Sequence, residues 1–287
     1  MRVSVIIPTT CELRRQASLL RAIQSLHAQQ GIDVDVIVVV NGKRYDAGLL
    51  DALRARSDVR VHYQEEGSLP AAQRFGRSLV TEEYFAFLDD DDQYLPGALK
   101  IRIAPMLTDP ALDVVATNGF RGELGNARYI DDGTAAINSD PFAAMIRSNW
   151  LASCGGLYRS KAIHADYFDG KTKHFEWTLL AFRILFAGHR VLFVDVPTFR
   201  VFDSPESLSK SLEYQRASAG FIEHLLSFEP PTRIQNALQR RLSAAQHDLS
   251  FQFLTLGDFK NAWRFHLKSL MGPRGWRYLP YTRRLLF

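Results

Sequence analysis

The sequence predicts an α/β protein in which a single mixed, mainly parallel sheet is flanked by helices and followed by a C-terminal helical extension. Three observations carry this. Short apolar runs alternate with amphipathic helical stretches through the N-terminal third, the pattern of strands joined by crossover helices. Those runs stop at Thr9, Asn41 and the acidic run Asp89–Asp92, which a parallel sheet brings to one carboxyl edge. Beyond Ser204 the periodicity is helical throughout.

In order, Val3–Ile7 is a strand closed by Pro8-Thr9-Thr10, and Leu13–Gln29 spaces Leu19, Leu20, Ile23 and Leu26 as one face of a helix. Asp35–Val40 is a second, fully apolar strand that stops at Asn41-Gly42. Tyr45–Arg56 reads as a helix, Val59–Tyr63 as a strand, Leu69–Val80 as a helix and Tyr84–Leu88 as a buried strand running into four aspartates. Pro96–Met106 is the next helix and Leu112–Thr117 the next strand. From Gly119 to Asp140 glycine, asparagine and aspartate predict hairpin turns or a mobile loop. A short helix over Pro141–Arg147, a strand over Gly155–Tyr158, a helix over Phe175–Ala187 and two strands, Val191–Val194 and Thr198–Phe202, complete the sheet region. Helices then cover Glu206–Leu226, Arg233–Leu256 and Phe259–Leu270, the first two separated by Glu229-Pro230-Pro231.

The chain has 287 residues, 46% hydrophobic and 23% charged, an ordinary soluble composition. No run reaches the roughly 18 to 20 apolar residues of a membrane span. The N-terminus enters a strand at once, without the pattern of a secretory leader. Cys11 and Cys154 make neither a disulfide framework nor a zinc site. The expectation is a cytoplasmic protein. Net charge is +4, with the basic excess concentrated after Asp258. There Lys260, Arg264, Lys268, Arg274, Arg277, Arg283 and Arg284 interleave with aromatic and aliphatic residues. Such a tail suits an anionic membrane surface, or a helix packing its aromatics inward; nucleic acid is not expected.

Four adjacent carboxylates repel one another unless a positive charge sits among them. A hard divalent cation, Mn2+ or Mg2+, meets that need through carboxylate oxygens. A cation at a parallel sheet edge suggests a metal-bound diphosphate. Neither a G-x-G-x-x-G nor a G-x-x-x-x-G-K-[ST] cradle is present, so basic side chains such as Arg74 or Arg77 must share the phosphate charge. Asn41 either hydrogen-bonds a base or serves only as the first residue of an Asn-Gly turn.

V-S-V-I-I-P-T, D-V-I-V-V-V-N-G, A-A-Q-R-F-G-R-S, Y-F-A-F-L-D-D-D-D and F-E-W-T-L-L-A-F-R-I-L-F-A-G-H-R-V-L-F-V together resemble the family 2 glycosyltransferases over roughly residues 1–205. The resemblance implies a Rossmann-like, A-type glycosyltransferase fold: residues 1–205 catalytic, with 1–118 for the nucleotide-sugar and 119–205 for the acceptor, and 206–287 a helical extension. It implies a metal-dependent, inverting enzyme that moves a sugar from a UDP-sugar or other nucleotide-sugar to a glycan or lipid-linked acceptor. Surface polysaccharide synthesis at the inner face of the membrane fits such chemistry.

Carried over by position, the resemblance puts Pro8, Thr9, Asn41, Asp90 and Arg74 at the donor and Asp91 with Asp89 at the metal. Asn41 replaces the family's usual uracil-reading Asp, and Arg74 stands one place from the family's Arg. Asp92 remains as a cap for the following helix. Glu176 matches the acid that takes the acceptor's proton, with Phe175 in place of its usual acidic neighbour. Asp203 stands where many relatives carry a metal-side His. Trp150 and Trp177 could stack on sugars or pack in the core. Cys154 reads as a small core residue. The alternatives are a non-catalytic scaffold of the same fold and a haloacid-dehalogenase-like phosphatase, whose signature Thr/Val is Gln93 here.

Overall fold

The computed structural model describes residues 1–122, 127–168, 172, 174–202 and 212–286. By contact density it divides into two compact units, Met1–Ser204 and Pro205–Phe287.

The first unit runs β1 (Arg2–Thr9), α1 (Gln16–His27), β2 (Asp33–Asn41), α2 (Ala47–Arg54), β3 (Arg60–Gln64), α3 (Leu69–Ser78) and β4 (Tyr84–Phe87). It continues with β5 (Gln93–Tyr94), α4 (Ala98–Thr108), β6 (Val114–Arg121), β7 (Ala127–Arg128), α5 (Thr134–Ser139) and α6 (Pro141–Arg147). β8 (Gly156–Arg159), α7 (Glu176–Phe186) and β9 (Val191–Val201) complete it. The strands form one sheet in the order β3-β2-β1-β4-β8-β6-β9-β5, with β7 paired to β6.

β1, β2, β3 and β4 are mutually parallel, β6 and β9 are parallel, and β8 runs antiparallel between the two groups. Crossover helices cover both faces, which explains why β1 and β2 are apolar at consecutive positions rather than alternate ones. Each large aliphatic side chain withdrawn from water there contributes about 1.5–3 kcal/mol. α3 lies close on β1 and β2 because Gly76 has no Cβ; one would meet Ile6 Cγ2 at 2.4 Å.

Three expectations change. Val191–Val201 is a single strand rather than two, bent where Pro197 pairs with Asn118 at a register shift. A bulge tolerates proline because no ladder donor is needed there. In the stretch Gly119–Asp140 β7 pairs antiparallel with the end of β6, as the hairpin alternative has it, but Thr134–Ser139 is the short helix α5 rather than turn or loop. Finally, Asp92 does not cap α4. Gly97 fills that position with φ 74 and no side-chain cap, while Gln93 and Tyr94 intervene as β5, paired with Phe199 and Arg200.

The second unit contains α8 (Leu212–Leu226), α9 (Thr232–Thr255), α10 (Phe259–Met271), a 3-10 helix over Gly275–Tyr281 and α11 (Thr282–Leu286). α9 packs against both α8 and α10. Ile234, Leu238, Leu249 and Ala262 are buried there, and Phe253 stacks on Phe265 with centroids 5.5 Å apart. Among the described residues no helix is long and apolar enough to cross a membrane.

Candidate active site

The parallel strands deliver Thr9, Asn41 and the acidic turn to one edge. Thr9 pairs with Val40 across the β1–β2 ladder, which sets Asn41 beside it. Asn41 Nδ2 donates to the Thr9 carbonyl at 3.0 Å. Thr9 Oγ1 accepts from the Cys11 N–H at 2.9 Å and donates to Asp90 Oδ2 at 2.6 Å. Pro8, Thr9, Asn41 and Asp90 are all buried. Cys11 holds a left-handed backbone, φ 53, which reverses the chain and lets the Cys11 carbonyl accept from Asp46 N–H at 2.9 Å. Burial pushes the Cys11 thiol up to about 11, so it is inert at neutral pH.

The four aspartates have four different surroundings. Asp89 is half-buried. Burial, then the neighbouring Asp91 charge, push its carboxyl up to about 7, against a hydrogen bond from Ser153. Burial also raises Asp90, opposed by Arg15 and Thr9. Arg15 Nη1 donates to Asp90 Oδ1 and reaches Asp91 Oδ2 at 3.3 Å. Arg21 donates to the Asp91 carbonyl at 2.9 Å and stacks 4.1 Å over the Phe202 ring. Asp92 is buried, accepting from Phe202 N–H at 3.1 Å and from Cys154 Sγ at 3.5 Å. It therefore clasps the turn to the end of β9, and burial holds its carboxyl well above the usual range. Burial likewise raises the Cys154 thiol, in keeping with a core role.

Among the described residues no three His, Cys, Asp or Glu side chains are arranged to hold a metal ion. Asp89 and Asp91 nonetheless offer hard carboxylate oxygens on one turn, and burial first, then the neighbouring Asp91 charge, raises the Asp89 carboxyl. The residues fit a Mg2+- or Mn2+-type ion held by one or two carboxylates and completed by ligand oxygens, which is how such ions commonly sit.

Glu176 is the first residue of α7. Its carboxylate accepts from His174 N–H at 3.0 Å, and burial raises its pKa. The two residues before it, His174 and Phe175, are both left-handed, φ 69 and φ 59. Each such non-glycine conformation costs about 1–3 kcal/mol and persists where the surroundings enforce it. α7 precedes β9, which runs parallel to β6, so α7 starts at the carboxyl edge. There Trp177 packs edge-on against Phe87, with centroids 5.3 Å apart, two residues before Asp89.

Other expected residues lie elsewhere. Trp150 is 1% exposed and its indole N–H donates to Pro141 at 2.9 Å; with no open face it is core and cannot stack on a sugar. Arg77 donates to the Ser160 and Ile163 carbonyls. Those residues adjoin the start of β4, where Tyr84 pairs with Arg159, at the sheet edge opposite the acidic turn, so Arg77 is not a phosphate partner. Arg74 is exposed and pairs with Asp166 at 3.2 Å. Asp203 lies outside the described residues. Sequence reasoning missed Arg15 and Arg21. Their signal was a pair of basic side chains following the first strand, on the side of the sheet where the acids emerge.

A parallel sheet edge carrying an acidic turn, with the Glu176 carboxylate opening a helix at the same edge, suits the A-type glycosyltransferase class of fold. The chain belongs to glycosyl transferase family 2, whose model matches residues 4–202. That membership displaces the phosphatase alternative. The chain is similar to an uncharacterized glycosyltransferase of Rickettsia conorii, 31% identical over 170 residues, taking in 56% of this chain and 27% of that one. A counterpart in Rickettsia felis is 27% identical over the same span. The chain thus spans about a quarter of the length of these relatives. In structure it is similar to S. aureus TarS 1–349 in complex with UDP-GlcNAc, with TM-score 0.60 and 16% identity, covering 93% of this chain and 90% of that one. TarS 1–349 in complex with UDP gives TM-score 0.58. Coverage of 93% extends beyond the first unit into the helical one.

Proposed function

We propose that this chain catalyses inverting transfer of a sugar from a nucleotide-diphosphate donor to a hydroxyl of a glycan or lipid-linked acceptor. One observation carries the reading: the Asn41–Thr9–Asp90–Arg15 network frames the acidic turn at the edge where Glu176 opens α7. In this reading residues 1–118 bind the donor, residues 119–205 bind the acceptor and residues 206–287 are a helical extension.

The donor is a UDP-sugar. The Thr9 carbonyl fixes the Asn41 amide by taking its Nδ2–H, which leaves Asn41 Oδ1 to accept from the N3–H of uracil, as an aspartate would. That UDP-GlcNAc and UDP bind TarS is consistent with this choice. Pro8 and Thr9 flank the base, Asp90 the ribose, and Arg15 rather than Arg74 supplies positive charge beside the diphosphate. A divalent cation shared by Asp89, Asp91 and the diphosphate oxygens would neutralise the leaving group.

Glu176 is the base. As the acceptor oxygen bonds to the anomeric carbon, its proton passes to the Glu176 carboxylate and the bond from that carbon to the diphosphate oxygen breaks. Burial raises the carboxyl toward the proton affinity such work needs. Trp177, half-buried at the same helix start, is positioned to border the sugar. Surface polysaccharide synthesis from the cytoplasmic side, with residues 258–287 in peripheral contact with an anionic membrane, belongs to the same reading.

The test is a melting-curve screen of UDP, GDP, CDP and TDP with Mn2+ or Mg2+. UDP at a hundredfold above its Kd should stabilise the chain by about 2.7 kcal/mol, and only with the cation. If no nucleotide moves the curve, the reading fails. Cation-dependent binding without transfer or hydrolysis would instead favour the non-catalytic scaffold.

A further inference from the structure

We infer that residues 271–286 form a seat for an anionic lipid surface, with Trp276 and Leu279 entering the interface and four arginines resting among the headgroups. This seat narrows the membrane contact proposed for residues 258–287 and rests on that reading.

The basic, aromatic tail sorts into two sets. Phe265 stacks on Phe253, Tyr278 stacks on His247 with centroids 4.3 Å apart, and Tyr281 meets His247 and His266 edge-on. Leu285 is buried. These side chains hold the segment on α9 and α10. The second set points away: Met271 is 86% exposed, Trp276 70%, Leu279 55% and Leu286 62%. Residues i and i+3 eclipse in a 3-10 helix, so Trp276 and Leu279 share one edge of Gly275–Tyr281. Arg274, left-handed at φ 63, starts that helix.

Arg274, Arg277, Arg283 and Arg284 are all exposed. No acidic residue follows Asp258 in the sequence, and among the described residues none of the four has a carboxylate partner. An exposed indole and exposed aliphatic side chains in the same segment as guanidiniums with no carboxylate partner among the described residues suit a headgroup boundary, where apolar groups enter and cations meet anionic lipid. A second copy is a poorer occupant, because a two-fold contact would set these arginines against their own copies. Nucleic acid would meet the arginines but offer nothing aliphatic to Met271, Leu279 and Leu286.

The test is co-sedimentation of the full chain with phosphatidylglycerol–phosphatidylcholine vesicles and with pure phosphatidylcholine vesicles, at low and high salt. Expected are salt-sensitive binding to the anionic vesicles and little to the neutral ones. Trp276→Ser with Leu279→Ser should cut partitioning roughly tenfold. Each of Arg277→Gln, Arg283→Gln and Arg284→Gln should cut it roughly fivefold at the anionic surface alone. Lys100→Gln, exposed on α4, should change nothing. Equal binding to both vesicles, no binding to either, or binding unmoved by these substitutions would overturn the seat. So would a fall in solution mass of the Trp276/Leu279 variant by light scattering, which would make a second copy the occupant. Vesicle binding is read without nucleotide, so loss of the nucleotide-induced melting shift with vesicle binding intact overturns the transferase reading and not the seat.

Discussion

Thr9 Oγ1 donates to Asp90 Oδ2 across 2.6 Å, tying the end of β1 to the turn after β4. Both groups are buried, so removing the donor leaves a carboxylate oxygen unsatisfied. Thr9→Val should destabilise the chain by about 1–3 kcal/mol and weaken nucleotide binding by roughly tenfold. Thr9→Ser, which keeps the hydroxyl, should restore both. Calorimetric titration with UDP and a denaturant melt of each variant measure the two effects; full binding by Thr9→Val would remove Asp90 from the donor site.

Glu176→Gln should lower kcat by about 10²- to 10⁴-fold and leave the nucleotide-induced melting shift intact. The working form is the carboxylate, and burial raises its pKa. Transfer should therefore decline with falling pH sooner than an exposed glutamate would dictate, and a rate profile on both sides of neutrality reads this. A near-normal rate in the Gln variant would assign the base elsewhere.

Arg15 is the cation that the chain itself supplies to Asp90 and Asp91. Arg15→Gln should tighten Mn2+ binding in the absence of nucleotide by roughly tenfold, since the aspartates lose a competing charge, an effect of about 1.4 kcal/mol. The same change should weaken nucleotide binding. Titration of Mn2+ by electron spin resonance, with and without UDP, separates the two; unchanged Mn2+ affinity would show that Arg15 and the ion occupy different sides of the turn.

Asp89 predicts a dependence of stability on pH. Its folded pKa, about 7, lies above its unfolded value, so the protonated form favours folding. The stabilisation is full below the ordinary carboxylate range and is lost as pH rises toward 7. At about 1.4 kcal/mol per unit the ceiling is about 4 kcal/mol. Asp89→Asn should thus melt several degrees above the parent at pH 8 and nearly with it at pH 5, both without metal. Equal melting temperatures at pH 8 would mean that Asp89 is well compensated.

The strand ends and acidic turn were legible because β-branched and aromatic runs, and the residues that stop them, are local signals. Thr9, Asn41 and Asp89 could be aligned on one edge from that pattern alone. What stayed hidden depends on distance along the chain. Arg15 meets Asp90 across 75 positions, and Asp92 meets Phe202 across 110, so no window of sequence contains either pair. Trp150 and Trp177 look alike as residues, yet one is sealed in the core and the other stands at a helix start. β5, only two residues long, exists because β9 offers it a partner.

The left-handed pair His174–Phe175 sets a boundary for redesign of acceptor choice. An α-helix turns by about 100° per residue, so one residue gained or lost between Glu176 and the buried Leu179 of α7 would swing the carboxylate to another face of the helix. Loop grafts between relatives should therefore join upstream of His174, keeping both strained residues with the helix they start.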